Sequence, residues 1–393
     1  MARRRLLLCD ARAVFCDRCP CRPMEEEIMK RGLVRIALTL LLLLPGCADY
    51  NELDKLDLVL ALGFDRTEDG DLQVTGISPV FSESAKTKQD VFRVQSRSLR
   101  ESREKMNAVS NGTVVAGKVQ MVLVGKRLLE HTTLFPHLDI MYRDAKTTTN
   151  AYLVAVDGTV SELMTASYPG KPAVQMYLRN MMDSAVRNGL TANVTLQKYH
   201  YMYYDRGSTA FLPEIARRGS ELTVNGVALL NARDRYEMSL NRTETKQLLM
   251  LRNEAEFPMM LTADLPANGK RLPVSFSVKK ARPRFRIEWQ KTPHIRVSLD
   301  LHAEVTEYPS ESELTKSIPE LERNISRYFD RELSALLRKL QEHRVEPIGI
   351  GGRIRSLQHG RWKTIGENWP DTFAQSKVTV RTNVVIKRHG ILK

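Results

Sequence analysis

Five cysteines carry the thiol chemistry of this chain, and their spacing separates them into two kinds. Cys9, Cys16, Cys19 and Cys21 crowd the start, and Cys16-Asp17-Arg18-Cys19 has the spacing of half a zinc knuckle. No second Cys-x-x-Cys pair follows to complete a four-ligand site, so a metal would be poorly held. Cys47 stands alone behind Leu43-Leu44-Pro45-Gly46, and no sulfhydryl follows it that could pair with it, attack a substrate or bind metal. Other catalytic patterns are missing too. There is no His-Glu-x-x-His helix, no Gly-x-Ser-x-Gly elbow and no Walker loop, and the eight histidines are scattered. Glu304 and Glu307 could pair as acid and base near a strand end, but solvated carboxylates are the ordinary reading. Gly349-Ile350-Gly351-Gly352 has the glycine content of a phosphate loop. It follows a helical pattern instead of opening one, so the expectation is a turn or bulge with no helix N-terminus facing an anion. Trp362 and Trp369 lie near Arg361 and Lys363. Rings flanked by cations suit a headgroup interface or a partner, but a spacing of seven also fits one face of a short helix packed on the sheet, and that core reading is the favoured one. The expectation is a chain without catalytic residues, metal or cofactor.

Cys47 nonetheless marks a covalent event. Lys30, Arg31 and Arg35 precede an apolar run over 36–44, and Gly46 is a small residue before a cut, which together make an export signal. With Cys47 placed after the cut, the pattern resembles the lipobox of bacterial lipoproteins, in which the thiol receives diacylglycerol and heads the mature chain. The apolar run is shorter than the roughly 20 residues a spanning helix needs. Residues 29–46 are therefore read as a signal peptide, cleaved between Gly46 and Cys47. Residues 1–28 do not fit ahead of a signal peptide and are read as a misassigned start, with Met29 as the native one. Glu25-Glu26-Glu27 can be encoded by a purine-rich tract ahead of an ATG, which is the form of a bacterial ribosome-binding site.

The body beyond Cys47 must be held by ordinary burial. About 345 residues suffice for two or three domains. A composition of 42% apolar and 27% charged residues is that of a globular protein and argues against disorder. The net charge is +14, and with nine cations and five carboxylates before Cys47 the exported part keeps about +10. On an exported protein such charge favours anionic headgroups or acidic wall polymer over nucleic acid, at roughly 1 kcal/mol per basic residue near the surface.

The elements that would position these residues can be read from periodicity. An apolar run over 56–64, a charged turn ending near Gly70, and a second run from Leu72 read as a β-hairpin. Leu99, Met106 and Val109 mark one face of a helix over 97–109, while 119–124 and 152–156 are short buried strands. These signals mix without βαβ regularity. A break at Gly170-Lys171-Pro172 precedes a helix over 176–186, and 224–230 is a strand. Strict alternation then runs through Val274-Phe276-Val278, Phe285-Ile287-Trp289 and from Ile295 to Val305. Ser317-Ile318-Pro319-Glu320 is a capping box for a helix reaching about His343, roughly 40 Å long, with Leu321, Ile325, Phe329, Leu333, Leu336 and Leu340 on one face. Val378, Val380, Val384 and Ile386 supply a last strand. The fold class expected is α+β: a mixed-sheet N-terminal region over 47–218, with a possible further break near 170, and a C-terminal antiparallel sheet over 219–393 packed with one long helix.

Taken in order, these residues resemble the Ger(x)C family, the lipoprotein C subunits of spore germinant receptors in endospore-forming bacteria. The resemblance is carried by Gly46-Cys47-Ala48-Asp49-Tyr50-Asn51-Glu52-Leu53, the run over 58–63, Asp65 and Gly70, then Arg143-Asp144, Leu212-Pro213 and Gly226-Val227-Ala228. It continues through Gln341, Ile348-Gly349-Ile350-Gly351, Trp362, Trp369, Phe373 and the closing Val385-Ile386-Lys387-Arg388-His389-Gly390. Two departures are Ala48-Asp49, where the family usually has Trp-Asp, and Glu346-Pro347, where an Asp often stands. The resemblance implies a non-enzymatic subunit that works with integral-membrane A and B subunits in the spore's inner membrane. It also implies a tie to the bilayer through diacylglycerol, with no nucleic acid partner, and Arg143, Asp144, Trp362 and Trp369 as candidate partner or membrane contacts. The rival class is a solute-binding lipoprotein of a transporter, which would show two lobes of repeated βα units. The codons for Glu25 to Glu27 should spell a GGAGG tract; sequencing that region without finding one removes the case for Met29.

Overall fold

The structure is a computed structural model describing residues 31–35, 55–80, 89–110, 112–144, 147–267, 270–308 and 318–389. Within it, residues from Leu53 onward form one compact unit, separate from Met1–Glu52.

The first sheet has eight strands. In chain order the elements of this part of the fold begin with β1 (Leu56–Leu58), β2 (Ala61–Arg66), β3 (Leu72–Pro79), β4 (Gln89–Ser96), α1 (Leu99–Asn107), β5 (Thr113–Val115), β6 (Met121–Gly125), α2 (Lys126–His131) and α3 (Phe135–Arg143). Next come β7 (Tyr152–Asp157), α4 (Val160–Thr165), α5 (Val174–Arg187), α6 (Leu196–Tyr204), β8 (Phe211–Arg218), β9 (Glu221–Leu230), β10 (Tyr236–Asn241) and α7 (Arg242–Arg252). The strand order is β10-β9-β8-β7-β6-β2-β3-β4, while β1 and β5 pair separately in parallel. The expected hairpin is present as β2 and β3, paired antiparallel.

The middle of the sheet corrects the expectation of no βαβ order. β2, β6, β7 and β8 run parallel, with helices crossing over from β6 to β7 and from β7 to β8. The regularity is hidden because the parallel strands are only five to eight residues long and their crossovers differ in length. Parallel strands are buried on both faces, and β6 shows it. Met121 and Leu123 face the core built with α4 and α5, and Val122 and Val124 face the main core. All four are fully buried.

The second sheet is built from β11 (Met259–Ala267), β12 (Lys270–Trp289), β13 (Pro293–Glu307) and β14 (Lys377–His389). It is antiparallel through its first three strands, and β14 then joins β13 in parallel, which corrects the all-antiparallel expectation. The reason lies in the connection. The chain leaves the end of β13, crosses through α8 (Ile318–Glu342), α9 (Ile350–Leu357), α10 (His359–Ile365) and α11 (Trp369–Ala374), and returns to the end where β13 began, so that Lys377 lies beside His294. A crossover of that length permits a parallel neighbour, which a hairpin cannot. The six apolar positions anticipated on the long helix are all buried, although its cap residue Ser317 lies outside the described residues. Alternation along Val274-Phe276-Val278 and along β13 buries the expected face, whereas Phe285, Ile287 and Trp289 are only half-buried. The division anticipated at 218/219 falls in the short turn between β8 and β9, which pair along their length.

α8 also seals the sheet's edge. A free edge strand presents unpaired N–H groups. Here the N–H groups of Thr382, Val384 and Ile386 donate to Asp330, Ser326 and Glu322, side chains four residues apart on one helix face. Val384 and Ile386 do so at 3.2 and 2.8 Å. Replacing Glu322, Ser326 and Asp330 together by Ala should lower stability by about 2–4 kcal/mol in urea unfolding. Amide exchange at those three strand positions should accelerate; unchanged exchange would show that the edge is protected in some other way.

Candidate functional site

The sequence-derived candidates fall into three places. Gly46 and Cys47 lie outside the described residues. Arg143 and Asp144 sit at the end of α3 and turn to different partners. Arg143 is exposed and its Nε donates to Asp139 at 2.6 Å, whereas Asp144 meets Arg103 of α1 at 3.3 Å. Both are solvent-side ion pairs, of a kind that contributes little stability. Glu304 and Glu307 likewise separate: Lys279 holds one at 2.9 Å, and Ser275 donates to the other at 3.1 Å.

Trp362 and Trp369 come together, but inside the protein. They are 8% and 1% exposed, with ring centroids 6.1 Å apart, and Trp369 also packs on Phe373. This is the core packing that their spacing favours, and it leaves the two indoles poorly placed for the membrane or partner contact that was the other candidate. The cations beside them, Arg361 and Lys363, project outward from the same short helix while the rings turn in. Arg361 lies over the Trp289 ring at 5.5 Å, a contact within the chain.

The Trp369 indole donates to a residue that sequence reasoning noted only as a departure from the family pattern. Glu346 is fully buried. Its Oε1 accepts from the backbone N–H groups of Ile348 at 2.8 Å and Gly349 at 2.9 Å. Its Oε2 accepts from Ile350 at 2.9 Å, from Gly351 at 3.3 Å and from the Trp369 indole Nε1 at 3.1 Å. The backbone carbonyl of Glu346 accepts from Thr209 at 2.9 Å, which ties the knot to the strand side of the fold. Gly349 has φ +87 and stands as N-cap of α9. A Cβ on Gly351 would lie 2.6 Å from the Trp369 indole nitrogen, so only glycine lets ring and turn approach.

The glycine segment thus opens a helix, contrary to the expectation, and its N-terminal N–H groups do face an anion. That anion is the chain's own carboxylate, four residues earlier. The first N–H groups of a helix lack partners within it and carry partial positive charge, and Glu346 supplies what a cap side chain would. Gln341 completes the knot, its Nε2 donating to the carbonyls of Phe373 at 2.8 Å and Ser376 at 2.7 Å. Arg252 donates to the Pro347 carbonyl and stands 4.8 Å over the Phe211 ring. Gln341, the 348–351 segment, Trp362, Trp369 and Phe373, scattered over 33 positions, are one contiguous cluster. The signal that could have found it was a lone carboxylate just before a glycine-bearing helix start. α7 was equally readable, since Asn241 and Glu244 form a capping box.

Burial pushes the Glu346 carboxyl up to about 7 from its ordinary 4.5, against the pull of the Trp369 and backbone donors and of the Arg252 charge. The site can hold a turn, two helices and two rings in one geometry. Among the described residues there is no cluster of three metal-ligating side chains.

Comparison with known proteins gives this architecture relatives. Residues 49–217 match the spore germination protein N-terminal domain, and residues 225–390 match the spore germination B3/GerAC-like C-terminal domain. Spore germination protein GerQC of Bacillus cereus is 20% identical over 375 residues, covering 92% of this chain and 99% of its own. Spore germination protein B3 of Bacillus subtilis (strain 168) is 21% identical over 355 residues, covering 86% and 92%. The crystal structure of the GerBC protein shares the fold, with a TM-score of 0.55 at 16% identity, over 83% of this chain and 96% of that one. The chain belongs to the GerAC-like family of spore germination proteins.

A carboxyl whose folded pKa is raised binds a proton in the folded state that it has already lost in the unfolded one. Stability must therefore fall as pH rises between the two values. Urea unfolding of the protein should show a decline of up to about 3 kcal/mol from near pH 4.5 to near pH 7. Glu346→Gln should remove that share of the slope. An unaltered slope would mean that Glu346 does not titrate there.

Proposed function

We propose that this family member is the lipid-tethered subunit of a nutrient receptor complex that triggers spore germination, and that it acts without catalysis. One observation carries the reading: the family match begins at residue 49, two positions beyond Cys47, and runs to residue 390. A body matching the family over nearly all of its length would then follow directly on the thiol that the export pattern marks for diacylglycerol. The germination relatives set aside the solute-binding lipoprotein of a transporter.

Cleavage between Gly46 and Cys47 would leave the body at the outer face of the spore's inner membrane. Two or three acyl chains give lasting attachment where one is marginal. A body so tethered meets integral A and B subunits at high effective concentration, so contacts too weak for a free protein suffice. Among the described residues no helix is long and apolar enough to cross a membrane. The packing of Trp362 on Trp369, whose indole donates to Glu346, then serves rigidity, giving the partners a surface of fixed shape.

Cys47→Ala should move most of the protein out of the spore-membrane fraction and slow the nutrient-triggered germination response severalfold. Normal membrane retention with a normal response would refute the tether.

A further inference from the structure

The second sheet gives one face to the core and the other to solvent, and the outward face is strongly basic. On β12, alternation sends Lys280, Arg282, Arg284 and Arg286 outward, and all four are exposed. On β13, Val297, Leu299 and Leu301 are buried in the core while Arg296 is exposed. On β14, Lys377 and Arg381 are exposed and Val384 is buried. Strand register brings these side chains together. Lys280 lies opposite His302, Arg282 opposite Asp300, Arg284 opposite Ser298, Arg286 opposite Arg296 and Glu288 opposite His294. On the far side of β13, Arg381 neighbours Ser298 and Lys377 neighbours His294. These five rows carry seven cations against two carboxylates, Asp300 and Glu288. They extend over about 27 Å of strand.

Two of the cations are answered within the face, Arg284 by Asp300 at 2.6 Å and Arg296 by Glu288 at 2.8 Å. Lys280, Arg282, Arg286, Lys377 and Arg381 have no ion pair among the described residues. Like charges directly opposite one another, as Arg286 and Arg296 are, destabilise a sheet. Packing therefore supplies no reason to gather them. The field of the face is felt by its own middle strand. His302 is held below the ordinary histidine value by burial and by the charges of Lys387, Lys280 and Arg282.

We propose that the outward face of β12, β13 and β14 lies against an anionic lipid bilayer. Charge complementarity selects the sign of the partner, and shape selects its kind. A protein partner is held chiefly by anchors that fill desolvated pockets near the centre of an interface. The centre here is a row of Arg284, Ser298 and Arg381 on a sheet surface, with both cations exposed. A bilayer needs no such pocket, because it presents many headgroup charges in one plane. Each Lys or Arg brought near an anionic surface strengthens attachment roughly fivefold. The inference rests on the tethered reading only in taking a bilayer to stand beside the body.

The test is co-sedimentation of the full-length protein carrying Cys47→Ala, so that no acyl chain contributes, with vesicles. These are phosphatidylcholine alone or phosphatidylcholine with about one-third phosphatidylglycerol. Residues 1–46 are common to every sample, so differences between variants belong to the body. Anionic vesicles should bind the protein roughly tenfold more tightly than neutral ones, and high salt should abolish the difference. Arg282→Glu, Arg286→Glu and Arg381→Glu together should weaken anionic binding by roughly tenfold or more and leave neutral binding unchanged. Arg100→Glu, Lys118→Glu and Arg233→Glu, at exposed positions elsewhere, change the net charge equally and should weaken it less than about threefold. The proposal is overturned if anionic and neutral vesicles bind alike or if the two triple variants weaken binding equally. It is also overturned if the protein captures polyglutamate and ignores anionic vesicles, which would assign the face to an acidic polypeptide. Should the first triple variant fail to fold by circular dichroism, Arg282→Gln, Arg286→Gln and Arg381→Gln decide, and unchanged binding in that set overturns the proposal. Failure here leaves the tether standing, since no acyl chain takes part in the measurement.

Discussion

A carboxylate without water, surrounded by five N–H donors, is the constraint around which the C-terminal part of this protein is organised. Each of these donors offsets part of the cost of burying the Glu346 charge, which burial otherwise pushes toward the protonated form. The turn over 347–349, the left-handed Gly349, the first turn of α9 and the Trp369 indole must therefore form together. Each member satisfies another: the helix N-terminus gains an acceptor, the carboxylate gains donors, and the indole N–H escapes burial without a partner. Such a network is stiff, because shifting any part leaves several polar groups unpaired at once.

The same economy appears in the long helix. One face of α8 buries Leu321, Ile325, Phe329, Leu333, Leu336 and Leu340, and a neighbouring row of Glu322, Ser326 and Asp330 caps the edge of β14. A sheet that would otherwise offer a free edge to another chain is closed by its own crossover. For a protein proposed to work beside membrane subunits, a sealed edge limits association to surfaces of fixed shape. Lys339, on the same helix, reaches Glu244 at 2.8 Å and so joins the second sheet's helix to the capping box of α7.

Much of this was legible from residue order. The hairpin around Gly70, the helix following Ser98, the alternation in β13 and the apolar face of α8 follow from local periodicity, and all are present. The parallel centre of the first sheet was not, because strands of five or six apolar residues do not reveal their neighbours or their direction. The stretch after Thr195 folds as α6, whose Tyr203 stacks on Phe135 and whose His200 packs at a tilt against Tyr142, a grouping that no period in the segment announces. The glycine segment misled for a similar reason. Following one helix did not prevent it from opening another, since Arg344 with φ +53 and Gly349 together reverse the chain within a few residues.

The sequence by itself determined a body without thiols beyond Cys47, an α+β composition, and the order of family residues. Those properties are local or additive, and chain order preserves them. Only the tertiary structure decided that Trp362 and Trp369 are interior and that the Trp369 indole meets the buried Glu346. Burial and hydrogen-bond partnership depend on which distant segments meet, and the energy of a charged or polar group is set by that meeting.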